Sequence, residues 1–289
     1  MAELNVFSAA LNPEVWAPYL QDVLMKSLVS FEIADTSLKP ELNVGDKVHV
    51  PYFIELTAAD YDPGNAITIT GVTATDDSID VTTKKIAPFY IDNVQELQAK
   101  PEVIGKLSEN AAYKLRDAID TAVLAFVSGA AVVFGTSATT DYVTGTTALT
   151  SMTATTANII TMFSKGAKVL QEKYVENAND WIAILTPALY QIITEKVANT
   201  GGDLADRVLE NGFGGRFMGF DLYVSNSLPS GYFYLGRKAQ ISLVLQQDVK
   251  MEIKEVSDKL GRNFIPWVVY GAGALVQAKK RYLAVKCTV

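Results

Sequence analysis

Residues 87–128 read APFYIDNVQELQAKPEVIGKLSENAAYKLRDAIDTAVLAFVS. Pro88–Ile91 is predicted as a short strand, Asp92/Asn93 as a capping position and Val94–Ala99 as a brief helical segment. Pro101 then opens a long helix, because proline at the first helical position lacks only an N–H that would bond nothing there. Val103, Ile104, Leu107, Ala111, Leu115, Ala118, Ile119, Ala122 and Phe126 recur at three- and four-residue steps, one apolar stripe on a 3.6-residue period. Lys106, Glu109, Asn110, Lys114, Asp117 and Asp120 fill the other side. At 1.5 Å per residue, residues 101–128 form a rod of roughly 40 Å, as long as a small domain is wide. Periodicity alone makes it the core helix of an α+β protein; its flanks narrow the reading.

Ahead of the rod, residues 45–86 switch to period two. Val48 and Val50 flank His49, Ile67 and Ile69 alternate with Thr68 and Thr70, and Ile79 and Val81 flank Asp80. These are strands rich in β-branched residues. The polar tip Ala58–Asn65 (AADYDPGN) joins the first two. A two-stranded ribbon is marginal in water on its own, and its unpaired edges invite another chain. Such a ribbon either folds back on its own domain or lies across a neighbour, and the second choice predicts an assembly. Earlier still, residues 1–12 read as an extended arm, and Asn12-Pro13 starts a helix with Val15, Trp16, Tyr19, Leu20, Val23 and Leu24 on its apolar face. Phe31–Pro40 reads as irregular.

Beyond the rod, Gly135–Asn158 is rich in Thr, Ala, Ser and Gly and reads as a solvated loop or loose edge ribbon. Thr156 or Asn158 caps a second amphipathic helix bearing Ile159, Ile160, Phe163, Ala167, Leu170 and Tyr174. Trp181–Leu185 (WIAIL) is a buried strand, and Thr186-Pro187 starts a helix over Ala188–Val197. Asn199–Asp203 is a Gly-rich loop, and Asn211–Gly219 sets four glycines around Arg216 before the strand Phe220–Ser225. Val249, Met251 and Ile253 alternate with Lys250, Glu252 and Lys254. Ile265–Tyr270 and Tyr282–Cys287 are strands expected to pair with those laid down before the rod.

Composition excludes several classes of function. With 289 residues, 49% of them apolar, the chain has ample core for one large or two modest domains. A net charge of −7 does not suit a sequence-reading DNA binder, which neutralises phosphates with clustered Lys and Arg. The single cysteine, Cys287, rules out an intrachain disulfide and fits a reducing cytoplasm. No basic-then-apolar leader opens the chain, and no apolar run approaches the roughly 20 residues of a membrane span, so a soluble, cytosolically made product without membrane association is expected.

The search for chemistry is nearly empty. His49 is the only histidine, too little for a zinc site or a Ser–His–Asp triad, and no G-x-S-x-G elbow is present. The glycines of Asn211–Gly219 match neither phosphate-binding pattern and read as turn glycines. Asp60/Asp62 and Asp76/Asp77 are carboxylate pairs in polar turns, more simply solvated than cation-bound. Lys84/Lys85 and Lys279/Lys280/Arg281 are short basic runs on solvated faces, able to touch phosphates weakly if the chain lines a container for nucleic acid. No catalytic residue, cofactor or metal is assigned.

The order of elements resembles the major capsid (coat) protein family of tailed bacteriophages, with its Hong Kong 97-like fold. Asn12–Leu24 (NPEVWAPYLQDVL), Val44–Pro51 (VGDKVHVP), Phe89–Gln98 (FYIDNVQELQ) and the long helix with Asn110-Ala111-Ala112 carry the likeness in the first half. Trp181–Tyr190 (WIAILTPALY), Gly215–Asn226 (GRFMGFDLYVSN) with Leu228-Pro229, and Val269–Gly271 (VYG) carry it in the second. The resemblance implies an α+β chain with an N-arm and N-terminal helix at 1–44 and an extended E-loop hairpin at 45–86. It implies a peripheral domain at 87–174 with spine helix 101–128, an axial domain at 175–235, and hinge strands at 236–289 returning to the peripheral domain. It further implies a virion protein that self-assembles in the host bacterial cytoplasm as pentamers and hexamers into an icosahedral shell around double-stranded DNA, touched non-specifically. A scaffolding protein, a portal protein and a decoration protein are the implied partners. Some members cross-link the E-loop covalently through Lys and Asn; the tip Ala58–Asn65 has no lysine, so no cross-link is expected. Nor is there a long charged N-terminal scaffold segment, which points to a separate scaffolding protein.

The expected inter-subunit contacts are Asp60, Tyr61 and Asp62 at the ribbon tip, and Arg207 and Arg216 pairing with a neighbour's carboxylates. Two rivals stand beside this reading: an encapsulin-type nanocompartment shell with the same fold and a protein cargo, and an α+β enzyme with a carboxylate site.

Overall fold

The computed structural model describes residues 25, 28–38, 45–53, 56, 58, 60, 63, 71, 74–92, 102–130, 132–134, 143–144, 152–172, 180–200, 215–255 and 260–288. The N-terminal helix expected over 13–24, the segment 93–99, the strand at 67–70 and most of the loop at 199–203 lie outside them.

The long helix is α2 (Glu102–Ala125), prolonged by a 3-10 turn over Phe126–Gly129. Among the described side chains its buried apolar positions are Ala111, Leu115, Ile119, Val123, Leu124 and Val127. The buried face departs from the expected stripe: Val123, Leu124 and Val127, which lie outside that stripe, are fully buried. Leu107 is exposed, and Asp120, expected on the polar side, is wholly buried. The C-terminal half of α2 is enclosed both by sheet strands and by α1 (Ser30–Ile33), so it buries a face wider than one stripe. Around Gly105, near the start of α2, there is open space. Helix α1 also corrects the irregular reading of residues 31–33. Its order comes from Val29 and Ile33, which are buried against α2.

The larger sheet holds β5 (Val132–Phe134), β6 (Val143–Thr144), β7 (Met152–Thr153), β8 (Trp181–Leu185), β9 (Arg216–Phe217), β10 (Phe220–Val224), β11 (Tyr232–Arg237) and β14 (Tyr282–Thr288). They run in the order β6-β5-β14-β11-β8-β10-β9, with β7 beside β14. Both faces are covered, which explains the uninterrupted apolar run WIAIL. Trp181, Ala183 and Leu185 pack with α3 (Ile159–Glu172) and α4 (Pro187–Thr200). Ile182 and Ile184 pack on the opposite face with Ile119, Val123 and Leu124 of α2. At the start of α4, the Leu189 N–H reaches the Thr186 hydroxyl at 3.5 Å, the expected cap. Asn158 precedes α3 but turns backward: its Oδ1 accepts the Thr155 N–H at 2.8 Å and its amide donates to the Thr153 carbonyl at 2.7 Å. Ile160 faces solvent, contrary to expectation, while Met162, Gly166 and Val169 complete the buried face.

The smaller sheet is β12 (Ser242–Glu255), β13 (Gly261–Gly273), β3 (Thr83–Ile86) and β4 (Phe89–Asp92). Strand β13 pairs antiparallel with β12 on one side and with β3 and β4 on the other, joining the chain's two halves as expected. Strand β14 does not: its partners β5, β7 and β11 all follow α2.

The ribbon consists of β1 (Lys47–Phe53) and β2 (Ala74–Asp80), in register from Lys47↔Asp80 to Phe53↔Ala74. Val48, Ile79 and Val81 at its foot pack with Val244 and Val269. The approach is close: a Cβ on Gly271 would overlap the Asp80 carbonyl and lie 2.9 Å from a Val81 methyl.

Burial of hydroxyl and thiol groups makes the fold sensitive to alkali. Tyr234 and Tyr282 stack at 5.2 Å and donate to the Arg237 and Phe126 carbonyls. Desolvation raises both hydroxyls and that of Tyr270, and pushes the Cys287 thiol up to about 11. In the unfolded chain these groups ionise nearer their ordinary values of about 8.5–10. Above that range the unfolded chain holds fewer protons, so stability is complete below roughly pH 9 and falls as pH rises toward 11. Calorimetry should show a level Tm from pH 7 to 9 and a steady decline beyond; a level Tm through pH 11 would contradict it.

Candidate functional site

Of the residues singled out for contact between subunits, Asp60 and Arg216 are described, and they belong to two separate parts of the chain. The first is the ribbon. Across its strands Lys47 pairs with Asp80 at 3.1 Å and His49 with Asp76. Its burial falls steeply along its length: Ile79 at the foot is 2% exposed and Phe53 at the end of β1 is 73% exposed. Beyond β1, Leu56 and Asp60 are exposed as well. Tyr61 and Asp62 lie outside the described residues.

The second part is the β9–β10 hairpin. Met218 and Gly219 form its turn with φ of 49° and 89°, the paired left-handed geometry of a tight hairpin turn. A methionine there is costly for the backbone, and its side chain is exposed. Phe217 and Phe220 turn inward on either side and pack against Phe163 at 5.1 and 5.7 Å. Arg216 stands directly opposite Asp221, with Nε 3.2 Å from the carboxylate. Arg216 thus holds a carboxylate of its own chain, a partner not foreseen from sequence although Asp221 lies five residues on. Gly215 and Gly219 are turn glycines, as expected. Arg207 lies outside the described residues, and no described contact joins Asp60 to Arg216.

Of the carboxylate pair Asp76/Asp77, Asp76 holds His49 and Asp77 is taken up by backbone. Asp77 accepts the Val276 N–H at 2.6 Å and the Ser78 N–H at 2.9 Å. No group of three His, Cys, Asp or Glu side chains gathers among the described residues. Among them, too, no helix is long and apolar enough to cross a membrane. A surface the sequence did not reveal is the outer face of the smaller sheet. There Ile86, Ile265, Trp267 and Val269 line an open groove of about 370 Å³, with Lys84 and Glu252 at its margin.

Residues 79–285, well over half the chain, match the family described as Phage capsid protein. The chain belongs to the phage capsid protein family. No curated protein sequence matches it. Among solved structures, one described as Mycobacterium phage Che8 superposes with a TM-score of 0.79 at 15% identity, covering 95% of this chain and 97% of that one. The capsid of cyanophage P-SCSP1u gives 0.73 at 17% identity, covering 96% and 94%. The capsid of a native GTA particle gives 0.65 at 14% identity, covering 99% and 100%. Identities this low speak for the fold alone, and that fold is Hong Kong 97-like. The family makes the chain a structural protein of the virion that associates with its own copies.

Proposed function

We propose that this chain assembles as pentamers and hexamers into an icosahedral shell enclosing phage double-stranded DNA, with the ribbon of residues 45–86 laid over the spine region of an adjacent copy. The loss of burial from Ile79 to Phe53 carries the proposal. Among the described residues the ribbon is fastened to its own body over its inner half, from the packing of Val48, Ile79 and Val81 out to Val50 and the Asp77–Val276 bond, and carries Phe53 and Leu56 into solvent beyond. A two-stranded ribbon of that kind needs a further surface to be stable. The division of labour follows: N-arm and N-terminal helix at 1–44, E-loop at 45–86, peripheral domain at 87–174, axial domain at 175–235 and hinge strands at 236–289. A separate scaffolding protein, a portal and a decoration protein are its partners, and assembly takes place in the host cytoplasm. The net charge of −7 limits contact with packaged DNA to weak, non-specific touches. Repulsion between copies is screened over about 8 Å at physiological salt. Interfaces above roughly 1,000 Å² outweigh it.

Co-expression with the products of neighbouring genes, followed by negative-stain electron microscopy, tests the proposal. Closed shells with five- and six-fold capsomers are expected; a monomer under those conditions rejects it.

Within this reading Asp60, Tyr61 and Asp62 touch the neighbour, and Arg207 and Arg216 pair with its carboxylates around the axial contacts. Arg216→Glu sets like charges opposite each other across the hairpin and reverses the charge offered to the neighbour. Loss of this exposed pair and the like charges in its place cost about 1 kcal/mol, a Tm shift of about 2–4 °C at most. Particle yield should therefore fall while the thermal melt of the unassembled chain stays near wild type. Wild-type yield removes Arg216 from the interface.

A further inference from the structure

Strand β12 runs out to Glu255 with β13 on one side only; among the described residues its other edge carries no strand. Lys250 to Glu255 are all exposed, Met251 and Ile253 included. A long exposed edge bearing apolar side chains is a template for pairing with another chain.

Pro266 tells which backbone groups face that edge. Proline has no N–H, and the Pro266 carbonyl accepts the Ala87 N–H at 3.1 Å, so residue 266 turns its backbone away from β12. Met251 is opposite Pro266. In an antiparallel ladder, opposed residues either exchange both bonds or turn both outward. Met251, Ile253 and Glu255 therefore direct their N–H and C=O groups to the open edge.

We propose that this edge pairs antiparallel with the same edge of a second copy, across a two-fold axis centred on Ile253. The inference deepens the shell reading and rests on it. In this register Ile253 meets the partner's Ile253, and Met251 meets the partner's Glu255, with outward backbone groups facing each other throughout. On the other face Glu252 meets the partner's Lys254, twice by symmetry, in the closer of the two pair types, with Cα atoms about 4.5 Å apart.

Neighbouring registers are worse. Centring on Glu252 opposes Lys250 to Lys254 and Glu252 to itself; centring on Lys254 opposes lysine to lysine. Like charges directly opposite are destabilising. Centring on Met251 draws in Gln247–Val249, where the ladder to β13 is irregular. Lysines alone would blunt the edge against all comers. Glu252, 3.3 Å from Lys254, makes it complementary to itself.

Ile253→Cys in assembled particles, oxidised with copper–phenanthroline, should give a disulfide-linked dimer on a non-reducing gel, because residue 253 faces its own counterpart. Met251→Cys should not, and wild type, whose Cys287 is buried, is the control. Intact Ile253→Cys particles without the dimer, or a dimer from Met251→Cys, overturn the pairing and leave the shell reading in place. A wild-type chain that stays monomeric overturns both. Independently, Glu252→Lys and Lys254→Glu should each reduce particle yield, and the double exchange should restore it. A double variant no better than the singles overturns the pairing.

Discussion

Phe163→Ala should lower the stability of the folded chain by about 3–5 kcal/mol, the range for deleting a fully buried aromatic ring. Phe163 is 0% exposed. It meets Phe217 and Phe220 edge-on and stacks with Phe233 at 5.8 Å. Aromatic pairs of this kind add about 0.5–1.5 kcal/mol each beyond burial of area. Collapse of the resulting cavity is opposed by the sheet on one side and by the close seat of α3 on the other, where a Cβ on Gly166 would lie 2.6 Å from a Leu235 methyl. A fall in Tm on the order of 10 °C follows. Phe163→Leu should recover more than half of the loss. Because Phe217 and Phe220 flank the Met218–Gly219 turn, the substitution also loosens the hairpin that presents Arg216, so particle yield should fall with stability. A loss below about 1 kcal/mol would mean that the cluster does not bear on the core.

What the sequence made legible was whatever depended on neighbours within a few residues. Pro101 and the stripe Ala111–Leu115–Ile119 announced α2, WIAIL announced the central strand β8, and Thr186-Pro187 announced the start of α4. Alternation at Val249–Lys254 announced β12, but period two says which side chains share a face and nothing about which edge stays open. Long-range partners left no local trace. Asp120 keeps a polar spacing on the helix and is buried because of residues 29 and 30. The pairing of β14 with β5 rather than with a strand before α2 depends on topology, since its apolar run suits either neighbour. Arg216 was singled out by its glycine surroundings, and the turn geometry that pairs it with Asp221 became visible only with the backbone.

Asp120→Ala should act on residues far away in sequence. The carboxylate Oδ1 accepts the N–H of Val29 at 3.0 Å and of Ser30 at 2.8 Å, both buried. Alanine leaves two buried donors without an acceptor, at about 1–3 kcal/mol each, so a loss of about 2–5 kcal/mol is expected. Asp120→Asn separates the acceptor from the charge. Its amide oxygen can keep both bonds, and its NH₂ falls where Oδ2 has no hydrogen-bond partner, in a pocket where the Ser30 hydroxyl also lacks one. Asparagine should therefore be more stable than alanine, falling short of wild type by the cost of burying its NH₂. The segment that Asp120 holds is further tied by Asp35 N–H to the Ile241 carbonyl, Leu243 N–H to the Asp35 carbonyl and Ala239 N–H to the Ile33 carbonyl, each at 2.8 Å. Freed at Val29 and Ser30, this seam should open more often. Hydrogen exchange in the alanine variant should accelerate at residues 29–35 and 239–243 and not in β8, at the centre of the larger sheet. An alanine variant within 0.5 kcal/mol of wild type (the usual range for an unimportant surface change) would reject the clamp. An asparagine variant as unstable as the alanine one would show that the two accepted N–H bonds do not carry the effect.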